Sequence, residues 1–407
     1  MQLRLALPET VTAKDPVRRA NEAFDADTRA DKINLGIGVY ADAAGRLPLL
    51  QAVRGAEQLL HARGAAHAYL PIRGLKAYND AVRALVLGRD SAAIAQGRAL
   101  TVQALGGTGA LTLAARLLKR ARPDAEVLIS DPTWDNHRAI FEAAGLLVRS
   151  YPYLDAAGQG VDFDALCRAL RQARPGSIVL LHACCHNPTG VDLTDAQWDE
   201  LLDLMAANSL LPMCDLAYQG FGAGLALDRK PLRRMEALGF EFLVASSLSK
   251  SMALYGERVG ALTLVAASPQ QAAVADSLLQ GLVRSSYSNP PTQGAALAAE
   301  VLGSPELSAL WQSELDGMRE RIVGMRTQLA ERLSLQVASG HGRDLSFIKR
   351  QRGMFSYTGL RPDEVAQLRE HDGIHLLETG RLCIAALNPG NLDRVARAIG
   401  QVLNAPA

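Results

Sequence analysis

Lys250 closes the stretch ASSLSK, and Arg258 follows it in YGERVG. Upstream, CDLAYQGF carries Asp215 and Tyr218, and further upstream HNPTG carries Asn187, Pro188 and Gly190. Lys250, Asp215, Tyr218 and Asn187 each stand at the end of an apolar run. An amine, a carboxylate, a phenol and an amide so placed form the set needed to hold pyridoxal phosphate. The amine condenses with the aldehyde, and a carboxylate at the pyridine nitrogen keeps it protonated, so that the ring accepts electrons. The lysine must first lose its proton, which desolvation and nearby cations favour. This is the chemistry of an amino-acid enzyme.

The elements that must position these groups are legible between about 100 and 270. Apolar runs LTVQAL (100–105), EVLISD (126–131), SIVLLH (177–182), LLPMCD (210–215), FLVASS (242–247) and GALTLVA (260–266) alternate with amphipathic stretches. Most are apolar throughout, so both faces of their sheet are expected to be covered, as in an α/β fold with a mainly parallel sheet and helices on both faces. Between them, Thr194 and Gln197 stand in capping-box spacing and predict a helix start. Asp131–Trp134, His182–Asn187, Asp215–Tyr218 and Ser247–Lys250 all follow strand ends, where an open α/β sheet binds its ligands. Convergence in space is expected.

Beyond about residue 303 the pattern changes. LSALWQSELDGMRERIVGMRTQLAERL predicts one long helix with Trp311, Leu315, Met318, Ile322, Met325, Leu329 and Leu333 on one stripe, long enough to link two lobes. Residues 346–407 read as a smaller α+β unit. The predicted division is an N-terminal arm with part of the small domain (1–45), a large cofactor-binding domain (46–305), and the linking helix with the small C-terminal domain (306–407).

Gross composition bounds the partners. The 407 residues are 48% hydrophobic and 21% charged, with a net charge of +1 and no long run of either sign. Nucleic acid and anionic membranes are therefore not expected partners. MQLRLALPET lacks the apolar core of a signal peptide, and no window reaches the length of a membrane span. The five cysteines fit neither a disulfide framework nor a zinc pattern, so reduced thiols in a cytoplasmic enzyme are expected.

Together the motifs resemble the fold-type-I aspartate/aromatic aminotransferases, class I, nearly end to end. The resemblance rests on NLGIGVY (34–40), GGTGAL (106–111), SDPTWDNH (130–137), CCHNPTG (184–190), DLAYQGF (215–221), SSLSK (246–250), YGERVG (255–260), YSNPP (287–291), GMFSYTGL (353–360) and TGR (379–381). It implies pyridoxal phosphate joined to Lys250, with Asp215 at the pyridinium nitrogen and His137 behind that aspartate. Tyr218 and Asn187 would bond the ring's phenolic oxygen, and Trp134 would stack on the ring. Gly107, Thr108, Ser247, Ser249 and Arg258 would hold the phosphate, joined by Tyr69 from a neighbouring subunit. Arg381, assisted by Asn187 and the Gly38 amide, would grip the substrate α-carboxylate. Arg284 would bind a distal carboxylate across the interface of a homodimer.

The same resemblance leaves two substrates in play. Arg284 favours dicarboxylates such as glutamate and 2-oxoglutarate, and Val39, Thr108 and Asn289 look aspartate-like. At the expected pocket edge, however, stand Ala41, Leu47 and Ala68, which lower the cost of burying an aromatic ring at about 25 cal/mol per Å². SDPTWDNH, YLPIRGL (69–75) and FGAG (221–224) lean the same way. An uncharged ring in a site built for a carboxylate leaves an arginine unpaired unless Arg284 swings out or its neighbours rearrange. The expected activity is ping-pong transamination of tyrosine or phenylalanine, and also aspartate, with 2-oxoglutarate. The alternative is an aspartate aminotransferase with little aromatic activity.

Three rivals are weaker. A pyridoxal-phosphate lyase or decarboxylase does not use the paired arginines Arg284 and Arg381. A nicotinamide-dependent oxidoreductase would want G-x-G-x-x-G where this chain has Gly107-Thr108-Gly109 followed two residues on by Leu111 and then Thr112. A non-catalytic scaffold requires no charged groups at the strand ends.

Overall fold

The six apolar runs all become strands of one sheet. The computed structural model describes residues 15–64, 66, 68–336 and 345–404, so the first fourteen residues of the predicted arm lie outside the described residues. In chain order the strands are β1 (Ile33–Asn34), β2 (Ala99–Leu105), β3 (Glu126–Asp131), β4 (Leu147–Pro152), β5 (Ile178–His182), β6 (Leu211–Leu216), β7 (Phe242–Ser247), β8 (Val259–Val265), β9 (Phe355–Tyr357), β10 (Ile374–His375) and β11 (Arg381–Cys383). Strands β2 to β8 form one sheet in the order β2-β8-β7-β6-β5-β3-β4. Its pairs are parallel except the two that β8 makes, with β2 and with β7. Reversal of β8 brings its first residue to the end of the sheet where β2, β3, β5, β6 and β7 finish.

Successive strand residues face opposite sides, and the buried apolar residues accordingly fall into two cores. Ile178, Leu180, Met213, Leu243 and Ala245 pack with the helix Gly106–Ala121 and the helix Pro269–Ser286. Val179, Leu181, Cys214, Leu216 and Val244 pack on the other side with Trp198 of the helix Asp195–Ala207 and with the long helix Pro305–Gln336. The start of Asp195–Ala207 carries both bonds of the expected capping box, between Thr194 and Gln197.

The long helix runs further at both ends than the apolar stripe requires, and every member of that stripe is buried. Thirty-two residues span on the order of 50 Å. Beyond it, β9 pairs antiparallel with β11, and β1 pairs parallel with β10, tying the early chain to the late chain. The helices Pro362–Asp372 and Leu392–Asn404 complete that end. Two strands, β1 and β4, were not expected from the sequence. β4 lies at the sheet edge with only Val148 and Tyr151 buried, so LVRSYP lacks the continuous apolar run that marks the inner strands.

Candidate active site

The sheet end where β8 turns back collects the polar clusters around one cavity of about 190 Å³. Its phosphate-sized corner begins at Gly106, which follows β2 and opens the helix Gly106–Ala121. Gly106 holds φ +69°, and a Cβ there would meet the Arg258 guanidinium at 2.5 Å, so only glycine fits. Gly107 and Thr108 therefore sit in the first turn, where backbone N–H groups have no partner within the helix. Opposite them the Ser247 hydroxyl lies 3.0 Å from that of Ser249, and Arg258 donates to the Tyr255 carbonyl at 3.0 Å. All five residues line the cavity. Amides, hydroxyls and a guanidinium on one corner suit a phosphate dianion.

Lys250 stands in the turn just after β7, with its ammonium 5.3 Å from the centre of the Tyr218 ring. Burial lowers its pKa and the nearby Arg258 and Arg381 add to that, while Asp215 opposes them. Asp215, near the end of β6, is buried and pairs in register with His182 of β5. Its Oδ2 lies 3.1 Å from His137 Nε2, and His137 Nδ1 lies 2.8 Å from the Thr133 hydroxyl. An ionised Asp215 only accepts, so Nε2 carries the proton and Nδ1 accepts from Thr133. Burial pushes the Asp215 pKa up, but the His137 hydrogen bond, with the Lys250 ammonium beyond it, outweighs that and holds the carboxyl below its ordinary value. Burial lowers His182 to about 3, so it stands neutral in the wall behind.

Asn187 is delivered by a turn that the backbone shapes with care. The Asp192 carboxylate accepts from the amides of Cys185 and His186, each at 2.8 Å, and the Asn187–Pro188 peptide is cis. The Asn187 side chain then contacts two groups at once. Its Nδ2 lies 3.5 Å from the Tyr218 hydroxyl, and its Oδ1 accepts from Arg381 at 3.2 Å. Arg381 opens β11, is buried, and donates also to the Gly36 carbonyl at 2.8 Å. Its guanidinium rests 4.4 Å from the centre of the Phe355 ring, and its Nε has no partner among the described residues. A Cβ on Gly38 would strike the same ring at 2.8 Å, so glycine lets the chain approach it. Trp134 lines the cavity and meets His137 edge-on at 5.2 Å.

The cavity walls thus carry three cations, Lys250, Arg258 and Arg381, against one carboxylate, Asp215. That balance, with the orphaned Arg381 Nε, fits a ligand set bearing both a phosphate and a carboxylate, with one site for a protonated ring nitrogen. The expected pyridoxal phosphate meets those demands. Two larger hollows, of about 580 and 650 Å³, contain none of these residues.

Of the residues expected from sequence, Gly38, Gly107, Thr108, Trp134, Asn187, Asp215, Tyr218, Ser247, Ser249, Lys250, Arg258 and Arg381 all line the one cavity. His137 sits directly behind Asp215. Tyr69 and Arg284 do not line it. Tyr69 is 92% exposed, and Arg284, also exposed, bonds the Ser288 hydroxyl. Ala41, Leu47 and Ala68 lie outside the lining as well. Sequence reasoning assigned no role to Phe355, although GMFSYTGL contains it, nor to Asp192, which follows HNPTG closely. Val17, on the helix Pro16–Ala26, also lines the cavity without any signal in the chain.

The sequence model of the family "Aminotransferase class I and II" matches residues 30–399. The aspartate aminotransferase of Pseudomonas aeruginosa is 51% identical over 390 residues, spanning 96% of this chain and 97% of that protein. The aromatic-amino-acid aminotransferase of Escherichia coli K12 is 45% identical over 392 residues, spanning 96% of this chain and 98% of that protein. A solved structure of the aromatic-amino-acid aminotransferase from Burkholderia pseudomallei, covalently bound to pyridoxal phosphate, is similar with a TM-score of 0.94. It shares 51% identity and covers 98% of this chain and 100% of that one. By fold, site and sequence, the chain belongs to the class I and II aminotransferases.

Proposed function

We propose that this aminotransferase passes the amino group of an aromatic amino acid, tyrosine or phenylalanine, and also of aspartate, to 2-oxoglutarate with pyridoxal phosphate as its carrier. The observation that carries the reading is the joint placement of Lys250, Asp215 and Arg381 on one cavity. When bound, pyridoxal phosphate supplies an aldehyde for the amino group and a ring that takes up the electrons left by the departing α-proton. The protein's own groups do the rest. Lys250 anchors the cofactor and, once freed, moves the proton at the substrate Cα. Asp215, oriented by His137, accepts from the ring nitrogen. Tyr218 and Asn187 donate to the phenolic oxygen, and Trp134 covers the ring face. Gly107, Thr108, Ser247, Ser249 and Arg258 hold the phosphate, with Tyr69 reaching in from a second copy. Arg381, Asn187 and the Gly38 amide fix the α-carboxylate, and Arg284 of a second copy meets a distal carboxylate.

Exposure of Tyr69 (92%), Leu47 (56%) and Leu49 (57%) supports a homodimer, since large apolar side chains are costly to leave in water. Tying of β1 to β10 supports a small domain that draws on residues 1–45 together with 306–407, set against a large domain of 46–305. The five cysteines are free and buried, which supports a cytoplasmic setting. No helix among the described residues is long and apolar enough to cross a membrane. The aromatic preference rests on Ala41, Leu47 and Ala68 facing the cavity of a second copy, since they do not line that of their own chain.

The test is the visible absorbance of the cofactor-loaded protein during separate titrations with tyrosine, phenylalanine and aspartate. Loss of the visible band most readily with the aromatics is expected. Loss with aspartate alone overturns the aromatic preference. Absence of any band after pyridoxal phosphate is added overturns the assignment of Lys250.

A further inference from the structure

The long helix Pro305–Gln336 lines none of the active-site cavity, yet two of its side chains reach the segments that do. Trp311, fully buried, donates its indole Nε1–H to the Ser251 carbonyl at 2.7 Å. Ser251 follows Lys250 directly. The turn there uses Met252 N to Leu248 O at 3.0 Å and Ala253 N to Lys250 O at 3.2 Å, so Trp311 takes the Ser251 carbonyl lying between them. Four turns along the helix, Arg326 is also buried, with no carboxylate ion pair among the described residues. Its Nη2 donates instead to the carbonyls of Gly353, at 2.5 Å, and Phe355, at 3.0 Å. Phe355 is the ring on which the Arg381 guanidinium lies.

Burying a guanidinium without a counter-charge is costly, and a buried indole N–H needs an acceptor. Both side chains spend that cost on backbone carbonyls next to working groups. We infer that Trp311 and Arg326 are positioning residues: Trp311 fixes the turn that presents Lys250, and Arg326 fixes the ring that seats Arg381. One rigid helix thereby sets the distance between the proton-moving amine and the carboxylate-binding cation. The inference rests on the transaminase reading of those two groups.

Because the two tethers serve different groups, their losses separate. Trp311→Phe keeps an aromatic ring but removes the donor together with the fused pyrrole. It is expected to lower kcat roughly tenfold or more, leave KM within about twofold, and move the pH midpoint of the cofactor's visible absorbance. Arg326→Met keeps an unbranched stem and removes the donors. It is expected to leave that midpoint unmoved, raise KM for tyrosine roughly tenfold, and weaken binding of 3-phenylpropionate, which has the carboxylate but no amino group, by a similar factor. Should Arg326→Met fail to fold, Arg326→Lys retains the cation with a poorer donor geometry and is expected to show a smaller loss of the same kind.

Thermal unfolding of each variant is followed alongside. Variants that lower only the unfolding midpoint, or that lose kcat and 3-phenylpropionate binding in equal proportion, overturn the inference. So does an exchange of the two signatures. A wild-type protein that shows no visible band and no transamination overturns the proposed function and this inference with it. Normal wild-type behaviour with unsplit variants overturns this inference alone.

Discussion

A single methyl at Gly260 is expected to disable cofactor capture from outside the cavity. Gly260 lies on β8, and a Cβ built there would stand 2.3 Å from the Gly106 carbonyl carbon, 2.5 Å from its oxygen and 2.7 Å from its Cα. Ordinary contacts begin at about 3.4 Å, so Gly260→Ala must push the two backbones apart by about 1 Å. Neither can yield by rotating a side chain. Gly106 stands beside the Arg258 guanidinium, so its displacement disturbs that cation as well. The displaced segment carries Gly107 and Thr108, and a shift of about 1 Å takes a hydrogen bond out of range. Two charge-assisted bonds at about 1.5 kcal/mol each amount to about 3 kcal/mol, or roughly a hundredfold in Kd for pyridoxal phosphate. Overpacking also costs about 1–3 kcal/mol of stability. Equilibrium titration of the cofactor-free protein with pyridoxal phosphate, paired with denaturant unfolding, measures both. Gly324→Ala, a helical position with nothing within 4 Å of the new Cβ, serves as the control with unchanged affinity. A Gly260→Ala protein that binds the cofactor within about threefold of wild type would refute the reasoning.

Two further outcomes follow from the site. The Asp215 carboxyl titrates below its ordinary value in the folded chain, so its ionised form stabilises the fold above the ordinary carboxylate range, and that contribution is lost as the pH falls through its folded pKa. The stability difference between the wild-type and Asp215→Asn proteins, both without cofactor, should therefore hold level down to about pH 5 and shrink as the pH falls through and below the ordinary carboxylate range in denaturant melts. A difference that grows on acidification contradicts the assignment. Arg284→Ala should reduce kcat/KM for aspartate by roughly ten- to a hundredfold, the worth of a charge-assisted pair, while tyrosine changes little. Equal losses for both substrates would remove Arg284 from the discrimination.

The site was more legible in the chain than the scaffold that aims it. Lys250, Asp215, Tyr218 and Asn187 were readable because strand ends in an α/β sheet share one rim, so polar residues after apolar runs converge once the sheet forms, whereas the phosphate role of Arg258 came by resemblance. Arg381 and Gly38 came only by resemblance, since no local pattern tells an arginine in TGR that it will meet an asparagine in HNPTG. β4 went unread because an edge strand with one open side buries too few residues to form an apolar run. Phe355 seats an arginine from another part of the chain, and Asp192 and Arg326 bond backbone groups. A carboxylate capping two amides, or a guanidinium on two carbonyls, leaves no periodic trace. Trp311 was read correctly as a member of the buried stripe, but its indole N–H has a second task that hydrophobicity cannot reveal.

The reversed strand also orders events during synthesis. β2 has a single neighbour in the sheet, and that neighbour is β8. A growing chain that has emerged only as far as β7 holds β2 with no ladder to join. Gly106, at the tip of β2, cannot reach its place until Ala99 pairs with Val265 and Leu105 with Val259. Placement of Gly106 therefore waits for β8, and Gly107 and Thr108 wait with it.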